Sequence, residues 1–274
     1  MIAAIATDLD GTLLNKEGSI SDYTAGTLLK LSSSGIKIIL ASGRSLNEIK
    51  CLDKSLPEKF HVAAYNGSVV AEFEKGKFTT YNVISLKNET LLSVIKILDS
   101  FQMPFFVSEG DKSFVPTQEV ENLFKKEGLP DIFYLEDFTS LKNSLKIAIP
   151  VYLSGRENIE SVKKSVLDAM TSIDFVEHGL QIVSSNEWLD IIPLKAGKSQ
   201  GLRHICKKLD ISMDQIVSFG DGGNDLCMLK STGRSIAPLN GCLAAKQAAQ
   251  SISKWSNDED CVAKELRHMF SDLF

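Results

Sequence analysis

The chain has 274 residues, of which 43% are hydrophobic and 24% charged, and its formal net charge is −5 at pH 7. It contains no run of Lys and Arg longer than two residues, which argues against a nucleic-acid-binding surface. Its apolar stretches are shorter than the roughly 20 residues that span a membrane. The N-terminal run is also too short for a signal peptide and lacks a basic leader, so we expect a cytoplasmic protein. The chain length corresponds to about two domains.

Cysteine usage agrees with that expectation. The cysteines are odd in number, show no C-x-x-C spacing and are confined to the two ends of the chain. Such a pattern is neither a disulfide framework nor a zinc site, and it predicts buried free thiols. The five are Cys51, Cys206, Cys227, Cys242 and Cys261. The four histidines also lack metal-ligand spacing, so structural or surface positions are expected for them.

The first predicted strand ends in two acidic residues. Residues 1–7 form a short apolar run that stops at Asp8-Leu9-Asp10-Gly11-Thr12-Leu13, which is typical of a buried strand in a parallel sheet. An exposed turn with helix-capping acids is the structural alternative. However, ligands collect at the carboxyl ends of strands in open α/β sheets. Carboxylates are also costly in a core unless a metal or a reaction uses them.

Alternating helices and strands follow over the next 70 residues. Ser21 is a candidate cap for a helix that runs to about Ser33. A second buried strand, residues 36–41, leads directly into Ser42-Gly43-Arg44-Ser45 and a further helix. A third strand, residues 62–65, ends at Asn66-Gly67, a dipeptide that favours a tight hairpin turn.

Residues 84–186 show a different pattern of predicted helices and strands, which indicates a separate α+β module. Three helices are expected near residues 89–101, 118–127 and 157–170, with strands near 104–108, 113–116 and 145–153. A hairpin is expected from residues 173–177 and 180–184. This module lacks the carboxylates at strand ends that mark the flanking segments.

The alternation of helices with buried strands that characterises the first segment returns at about Trp188. A helix from Lys198 to Leu209 has an apolar stripe. A buried strand, residues 216–219, then ends at Gly220-Asp221-Gly222-Gly223-Asn224-Asp225. We therefore predict a core made of residues 1–83 and 187–274, interrupted by an inserted domain at 84–186.

Four motifs of this core resemble those of the haloacid dehalogenase superfamily of phosphohydrolases. They are D-L-D-G-T-L at residues 8–13, A-S-G-R at 41–44, a lysine at 198 and G-D-x-x-N-D at 220–225. The position of the insert resembles the Cof-type phosphatase branch, which carries a large α/β cap. The resemblance implies an α/β fold with a Rossmann-like (HAD-type) core, a mainly parallel sheet and an inserted α+β cap domain that selects the substrate.

The same residues suggest a chemistry. A carboxylate can attack phosphorus and form an acyl-phosphate, and Asp8 is the predicted nucleophile. Its repulsion from a phosphate dianion calls for Mg²⁺, a hard cation that carboxylates hold. Asp8 and Asp221 would supply carboxylates, and the resemblance adds the backbone carbonyl of Asp10. Asp225 would lie behind the metal ligands, holding waters or orienting Lys198.

Asp10 separates phosphatases from dehalogenases, which lack this second acid. Two positions beyond Asp8, it would return to the same side of an extended segment. There it would protonate the leaving alcohol and later deprotonate the attacking water. Thr12 would steady the loop through its hydroxyl.

The remaining candidates would bind the transferred phosphoryl group. Ser42, the N–H of Gly43 and the helix N-terminus behind them offer hydrogen-bond donors. Lys198 offers a positive charge, and Asn224 offers one more donor.

The leading hypothesis is a Mg²⁺-dependent phosphatase for a small phosphorylated metabolite, with a sugar phosphate favoured by the resemblance. The alternatives are a phosphomutase of the phosphomannomutase type and a catalytically idle binding module on the same fold. A monomer or small homo-oligomer without nucleic-acid or membrane partners is expected. Four polar cap residues are possible substrate contacts, although a plain surface place is the more ordinary interpretation: Glu109, Ser113, His178 and Gln181.

Overall fold

A computed structural model describes residues 2–129, 131–154, 159–170, 177–185 and 187–274. The chain divides into two compact units, the first made of Met1–Val83 with Ala196–Phe274 and the second of Ile84–Lys195. No helix in the described ranges is long and apolar enough to cross a membrane.

The strands and helices are numbered in chain order. The strands are β1 Ala4–Thr7, β2 Lys37–Ala41, β3 Lys59–Ala64, β4 Val69–Glu74, β5 Lys77–Val83, β6 Phe106–Glu109, β7 Lys112–Val115, β8 Ile132–Tyr134, β9 Ser144–Pro150, β10 Leu180–Ser184, β11 Trp188–Pro193, β12 Ile216–Phe219, β13 Arg234–Ala237 and β14 Ser251–Ile252. The helices are α1 Asp22–Ser33, α2 Leu46–Lys50, α3 Asn88–Ser100, α4 Gln118–Lys126, α5 Ile159–Met170, α6 Lys198–Leu209, α7 Leu226–Leu229, α8 Leu243–Ala248 and α9 Cys261–Met269.

The first unit is built on an eight-stranded sheet in the order β14-β13-β12-β1-β2-β3-β4-β5. Strand β1 lies inside the sheet and pairs in parallel with β12 on one side and β2 on the other. Its four residues are all buried, as expected for a strand covered on both faces. Thr7 is level with Phe219 of β12 and Leu40 of β2, so the three carboxyl ends meet at one edge.

The second unit has a six-stranded sheet in the order β10-β11-β9-β6-β7-β8. The pairings are antiparallel except for β7 with β8. One apolar cluster unites side chains of α3 and α5 with strand residues such as Ile147 and Ile191. A smaller cluster holds Phe124 of α4 against Phe106 and Val115. The apolar stripes of these helices thus cover sheet residues, as amphipathic patterns predict.

Most predicted elements are found, with ends shifted by a few residues. Ser21 caps α1, because its side chain accepts a hydrogen bond from the N–H of Thr24 at 3.0 Å. Strand β8 was not predicted, since three residues are too few to show a period. The proposed strand at 173–177 falls mainly on residues outside the described ranges.

The return to the first unit was predicted too early. Residue 187 was the expected boundary, but β11 belongs to the second sheet, where it pairs with both β9 and β10. Its residues from Leu189 to Pro193 are buried, and a buried strand has the same apolar composition in either unit. The boundary at 195/196 therefore leaves no compositional signal.

The prediction of buried thiols is correct for only part of the set. All five cysteines are free, and Cys206 and Cys261 are buried. Cys51 and Cys227 are exposed. Burial raises the pKa of the Cys261 thiol to about 11, which keeps it protonated and unreactive at neutral pH.

Candidate active site

Parallel pairing of β1 with β12 brings two predicted motifs together. Asp8 follows β1 directly, and its N–H donates to the carbonyl of Phe219, the last residue of β12, at 3.0 Å. Asp221 lies two residues beyond that strand. Both aspartates are buried, with 6% and 5% of their surface exposed.

Three carboxylates meet at this edge. One oxygen of each of Asp8, Asp221 and Asp225 lies within 4.8 Å of the others. Burial, and then the charge of Asp225, raises the pKa of Asp8 well above its ordinary value. The same causes raise the pKa of Asp221 to about 6. The carboxylates repel one another in a poorly solvated place, and a divalent cation would relieve that repulsion.

Lys198 supplies the positive charge of the cluster. This first residue of α6 is fully buried, and its Nζ lies 2.7 Å from Asp8 Oδ1 and 2.6 Å from Asp225 Oδ1. Burial would lower the pKa of Lys198, but the charges of Asp225 and Asp8 outweigh it and raise the pKa overall. Its ammonium therefore stays charged at neutral pH.

Both carboxylate oxygens of Asp225 accept hydrogen bonds from other groups of the protein. Its Oδ1 takes the bond from Lys198, while its Oδ2 accepts the N–H groups of Asp221 at 3.0 Å and Gly222 at 2.9 Å. These bonds fix the loop after β12. Asp8 and Asp221 are therefore the carboxylates of the cluster that are best suited to hold a cation. Their oxygens are the kind of ligand that Mg²⁺ prefers.

The turn after Asp8 is bound to the loop of Asp221. Thr12 donates through Oγ1 to Asp221 Oδ1 at 2.9 Å, and Asn240 donates through Nδ2 to the carbonyl of Gly11 at 2.8 Å. Gly11 has φ +76°, and a Cβ there would lie 2.5 Å from Asp221 Oδ2. Only glycine fits both the conformation and this close approach.

The backbone at Asp10 does not continue the extended conformation of β1. Residues Leu9–Leu13 form a single wide turn, which reverses through the positive φ of Gly11. The Asp10 side chain is 60% exposed, and its carboxylate binds Arg44 instead of joining the three-carboxylate cluster. The chain therefore reaches Asp10 through a turn and not along an extended strand, because β1 ends at Thr7, and the proton-transfer role of Asp10 stays a prediction.

Ser42 and Asn224 are joined by a residue that sequence reasoning treated only as a turn. Asn66, buried with φ +53°, donates its N–H to the carbonyl of Ser42 at 2.9 Å. Its carbonyl accepts from Gly197 N–H at 2.8 Å, and its Oδ1 accepts from Asn224 Nδ2 at 3.1 Å. Asn66 thus connects the Ser42, Lys198 and Asn224 motifs, and its place at a strand end was the available signal.

Arg44 was the second residue missed. It was visible in the S-G-R motif, beside Ser42 and Gly43, but no role was attached to it. Its backbone N–H donates to Ser42 Oγ at 3.2 Å, while its side chain reaches Asp10.

The four polar residues considered in the second unit differ in their engagement. Glu109 Oε1 accepts the N–H groups of Lys142 at 2.8 Å and Asn143 at 2.5 Å. Gln181 donates to the carbonyls of Pro193 and Leu194. These two side chains support the unit's own backbone. Ser113 contacts another serine hydroxyl at 3.3 Å, and His178 is exposed.

Comparison with known families identifies this arrangement. The sequence pattern of the haloacid dehalogenase-like hydrolases matches residues 5–266. The chain belongs to this family. As a haloacid dehalogenase-like hydrolase of the Cof type it is a phosphoric monoester hydrolase, and the predicted family and α/β fold class are confirmed.

The chain is similar to curated relatives and to solved structures over nearly its whole length. Phosphatase YwpJ of Bacillus subtilis is 26% identical over 97% of this chain and 99% of its own. The 5-amino-6-(5-phospho-D-ribitylamino)uracil phosphatase YitU of B. subtilis is 26% identical over 97% of both. SMU.1108c of Streptococcus mutans UA159 superimposes with a TM-score of 0.85 at 24% identity, over 99% of this chain and 100% of its own. The subclass IIB sugar phosphatase BT4131 gives 0.78 at 23%, over 99% of both.

Proposed function

We propose that this hydrolase is a Mg²⁺-dependent phosphatase that acts on a small phosphorylated metabolite through an aspartyl-phosphate on Asp8. The observation that carries the proposal is the buried Asp8 carboxylate, with one oxygen 2.7 Å from Lys198 Nζ and the Asp221 carboxylate beside it. No purely structural need explains three buried carboxylates around one ammonium.

Asp8 and Asp221 would hold the metal through their carboxylates, and family resemblance adds the carbonyl of Asp10. When bound, Mg²⁺ neutralises charge and allows an anionic nucleophile to approach a phosphate dianion. Asp225 holds the loop of Asp221 and the ammonium of Lys198 in place. It acts through these residues and does not touch the substrate.

In the first step, Asp8 forms a bond to phosphorus while the bond from phosphorus to the leaving oxygen breaks. Asp10 gives its proton to that oxygen, so that a neutral alcohol leaves. In the second step Asp10 takes a proton from water, whose oxygen bonds to phosphorus. The bond from phosphorus to Asp8 then breaks and inorganic phosphate is released.

The remaining residues stabilise charge on the phosphoryl oxygens during both steps. Lys198 provides the positive charge, and Ser42, the N–H of Gly43 and Asn224 provide hydrogen bonds. The loops that carry them are joined through Asn66. Their positions are therefore set before the substrate arrives, as preorganised electrostatic stabilisation requires.

A sugar or sugar-alcohol phosphate is the proposed substrate class. BT4131 is described as a sugar phosphatase, and the substrate in the name of YitU carries a phosphorylated ribityl chain. We assign substrate selection to the inserted unit, with Ser113 and His178 as its better candidates. A cytoplasmic location and a monomeric or small homo-oligomeric state stay predictions.

Phosphate release from an aryl phosphate, with and without Mg²⁺, tests the proposal. We expect activity that needs Mg²⁺ and disappears in Asp8→Asn, with Asp214→Asn, an exposed carboxylate, as the matched control. Activity that survives in Asp8→Asn would overturn the mechanism. Transfer between sugar hydroxyls that needs a bisphosphate activator would identify a mutase, and no turnover across a metabolite panel would indicate an idle binding module.

A further inference from the structure

A bidentate ion pair joins the first two motifs of the site. Arg44 Nε donates to Asp10 Oδ2 at 2.8 Å, and Arg44 Nη2 donates to Asp10 Oδ1 at 2.5 Å. Both carboxylate oxygens are therefore engaged by one planar guanidinium. Such a fork fixes the direction of a carboxylate as well as its position, which a lysine could not do.

The two partners are anchored differently. Arg44 has a rigid backbone, since its N–H donates to Ser42 Oγ and its carbonyl accepts from Tyr65 N–H at 3.0 Å. The next residue, Ser45, begins α2 with a reciprocal capping box that involves Glu48. The guanidinium thus extends from a backbone that is bonded on both sides.

Asp10, in contrast, depends on Arg44 for its orientation. Its side chain is 60% exposed, and among the described residues the hydrogen bonds to its carboxylate come from Arg44. It precedes the reversal at Gly11 and lies outside the buried carboxylate cluster. Without the arginine, an exposed aspartate would sample several rotamers.

We propose that Arg44 is the positioning residue for the proton-transfer group, holding the Asp10 carboxylate in the direction from which it serves the leaving oxygen and the attacking water. This inference rests on the proposed function. Proton transfer uses one oxygen of Asp10, so Arg44 needs to keep only one of its two bonds while the proton moves. Arg44 touches neither phosphorus nor the leaving group.

A leaving-group series separates this role from a general structural one. A good leaving group, as in p-nitrophenyl phosphate, departs without a proton, whereas an alkyl alcohol requires one. For Arg44→Ala we expect kcat with an alkyl phosphate to fall roughly 10- to 100-fold, with KM nearly unchanged. The first chemical step with p-nitrophenyl phosphate, followed as a burst of nitrophenol, should change little. Arg44→Lys should lie between, and Arg234→Ala, an exposed arginine of the same unit, is the matched control.

A double-mutant cycle supplies the decisive readout. If Arg44 acts through Asp10, then Arg44→Ala should cost nothing further in an Asp10→Asn background, because interacting residues are not additive. Added guanidinium ion should partly restore Arg44→Ala and leave Asp10→Asn unchanged. If Arg44 instead held only the Ser42 loop, its removal would multiply the loss in both backgrounds.

Three results would overturn the inference: a multiplicative double mutant, an equal loss in the first chemical step for all leaving groups, or no loss with alkyl phosphates. Arg44→Lys keeps charge and length, so the comparison stands even if Arg44→Ala folds poorly. Failure of the proposed function is a separate result, because it would appear as retained activity in Asp8→Asn.

Discussion

The two units bury charge in different ways. In the second unit Lys146 and Asp190, 8% and 7% exposed, pair with each other, and Nζ lies 3.3 Å and 3.2 Å from the two oxygens. In the first unit the ammonium of Lys198 pairs with Asp8 and Asp225, and the carboxylate of Asp221 lies in the same cluster. Among the described residues, the Lys146–Asp190 pair has one positive and one negative charge, whereas the cluster has one ammonium and three carboxylates.

This difference distinguishes a structural ion pair from a functional site. A balanced buried pair satisfies its own charges and needs nothing from outside the protein. An unbalanced cluster is costly unless a cation or a substrate completes it. Burial first, and then the negative charge of Asp225, raises the pKa of both Asp8 and Asp221.

The largest expected effect comes from removing the cation of the unbalanced cluster. Lys198→Met should lower kcat by about 10³-fold, because the phosphoryl oxygens lose a charge in a buried place. Steady-state hydrolysis of an aryl phosphate at saturating Mg²⁺ measures this loss. Lys207→Met, which changes an exposed lysine of the same helix, is the control, and an equal loss there would argue against a local role.

The balanced pair should affect stability. Asp190→Asn removes the carboxylate charge that pairs with buried Lys146, and we expect the free energy of unfolding to fall by about 3 kcal/mol. Urea unfolding measures this change. The double variant Lys146→Met, Asp190→Leu should regain most of it, since an apolar pair of similar size satisfies the same space. A double variant as unstable as Asp190→Asn would show that the pair has a further partner.

Sequence patterns predicted the parts of this architecture that follow from periodicity and strand ends. Asp8 and Asp221 could be placed near each other because parallel strands align their carboxyl ends. The contacts of Asp10 and Asn66 could not, since they depend on single backbone angles, the φ of +76° at Gly11 and +53° at Asn66. The boundary at β11 was missed because buried strands of the two units have the same composition.

The unbalanced cluster should also make the metal-free protein sensitive to pH. The pKa of Asp221 is raised from 3.8 to about 6 by burial and by Asp225, so the native state binds a proton more tightly than the unfolded chain. Its contribution to stability is complete below pH 3.8 and is lost as pH rises through about 6, by roughly 3 kcal/mol.

Thermal unfolding in EDTA between pH 4 and pH 8 measures this effect. Mg²⁺ should restore stability at the higher pH values, because it binds the ionised carboxylates of the native state. In Asp221→Asn, both the pH effect and the response to Mg²⁺ should be much smaller. A metal-free wild type that becomes more stable from pH 4 to pH 7 would contradict this account of the cluster.

The smallest expected effect concerns a neutral contact of the same site. Asn66→Gly keeps a residue suited to positive φ but removes the amide that accepts from Asn224. A net hydrogen bond of about 1 kcal/mol predicts a loss of roughly fivefold in kcat/KM. Asn66→Ala should cost more than Asn66→Gly, since alanine disfavours φ +53°. Equal losses of kcat/KM in the two variants would assign the role of Asn66 to its side-chain amide alone. An Asn66→Gly variant with unchanged kcat/KM would assign that role to the backbone conformation.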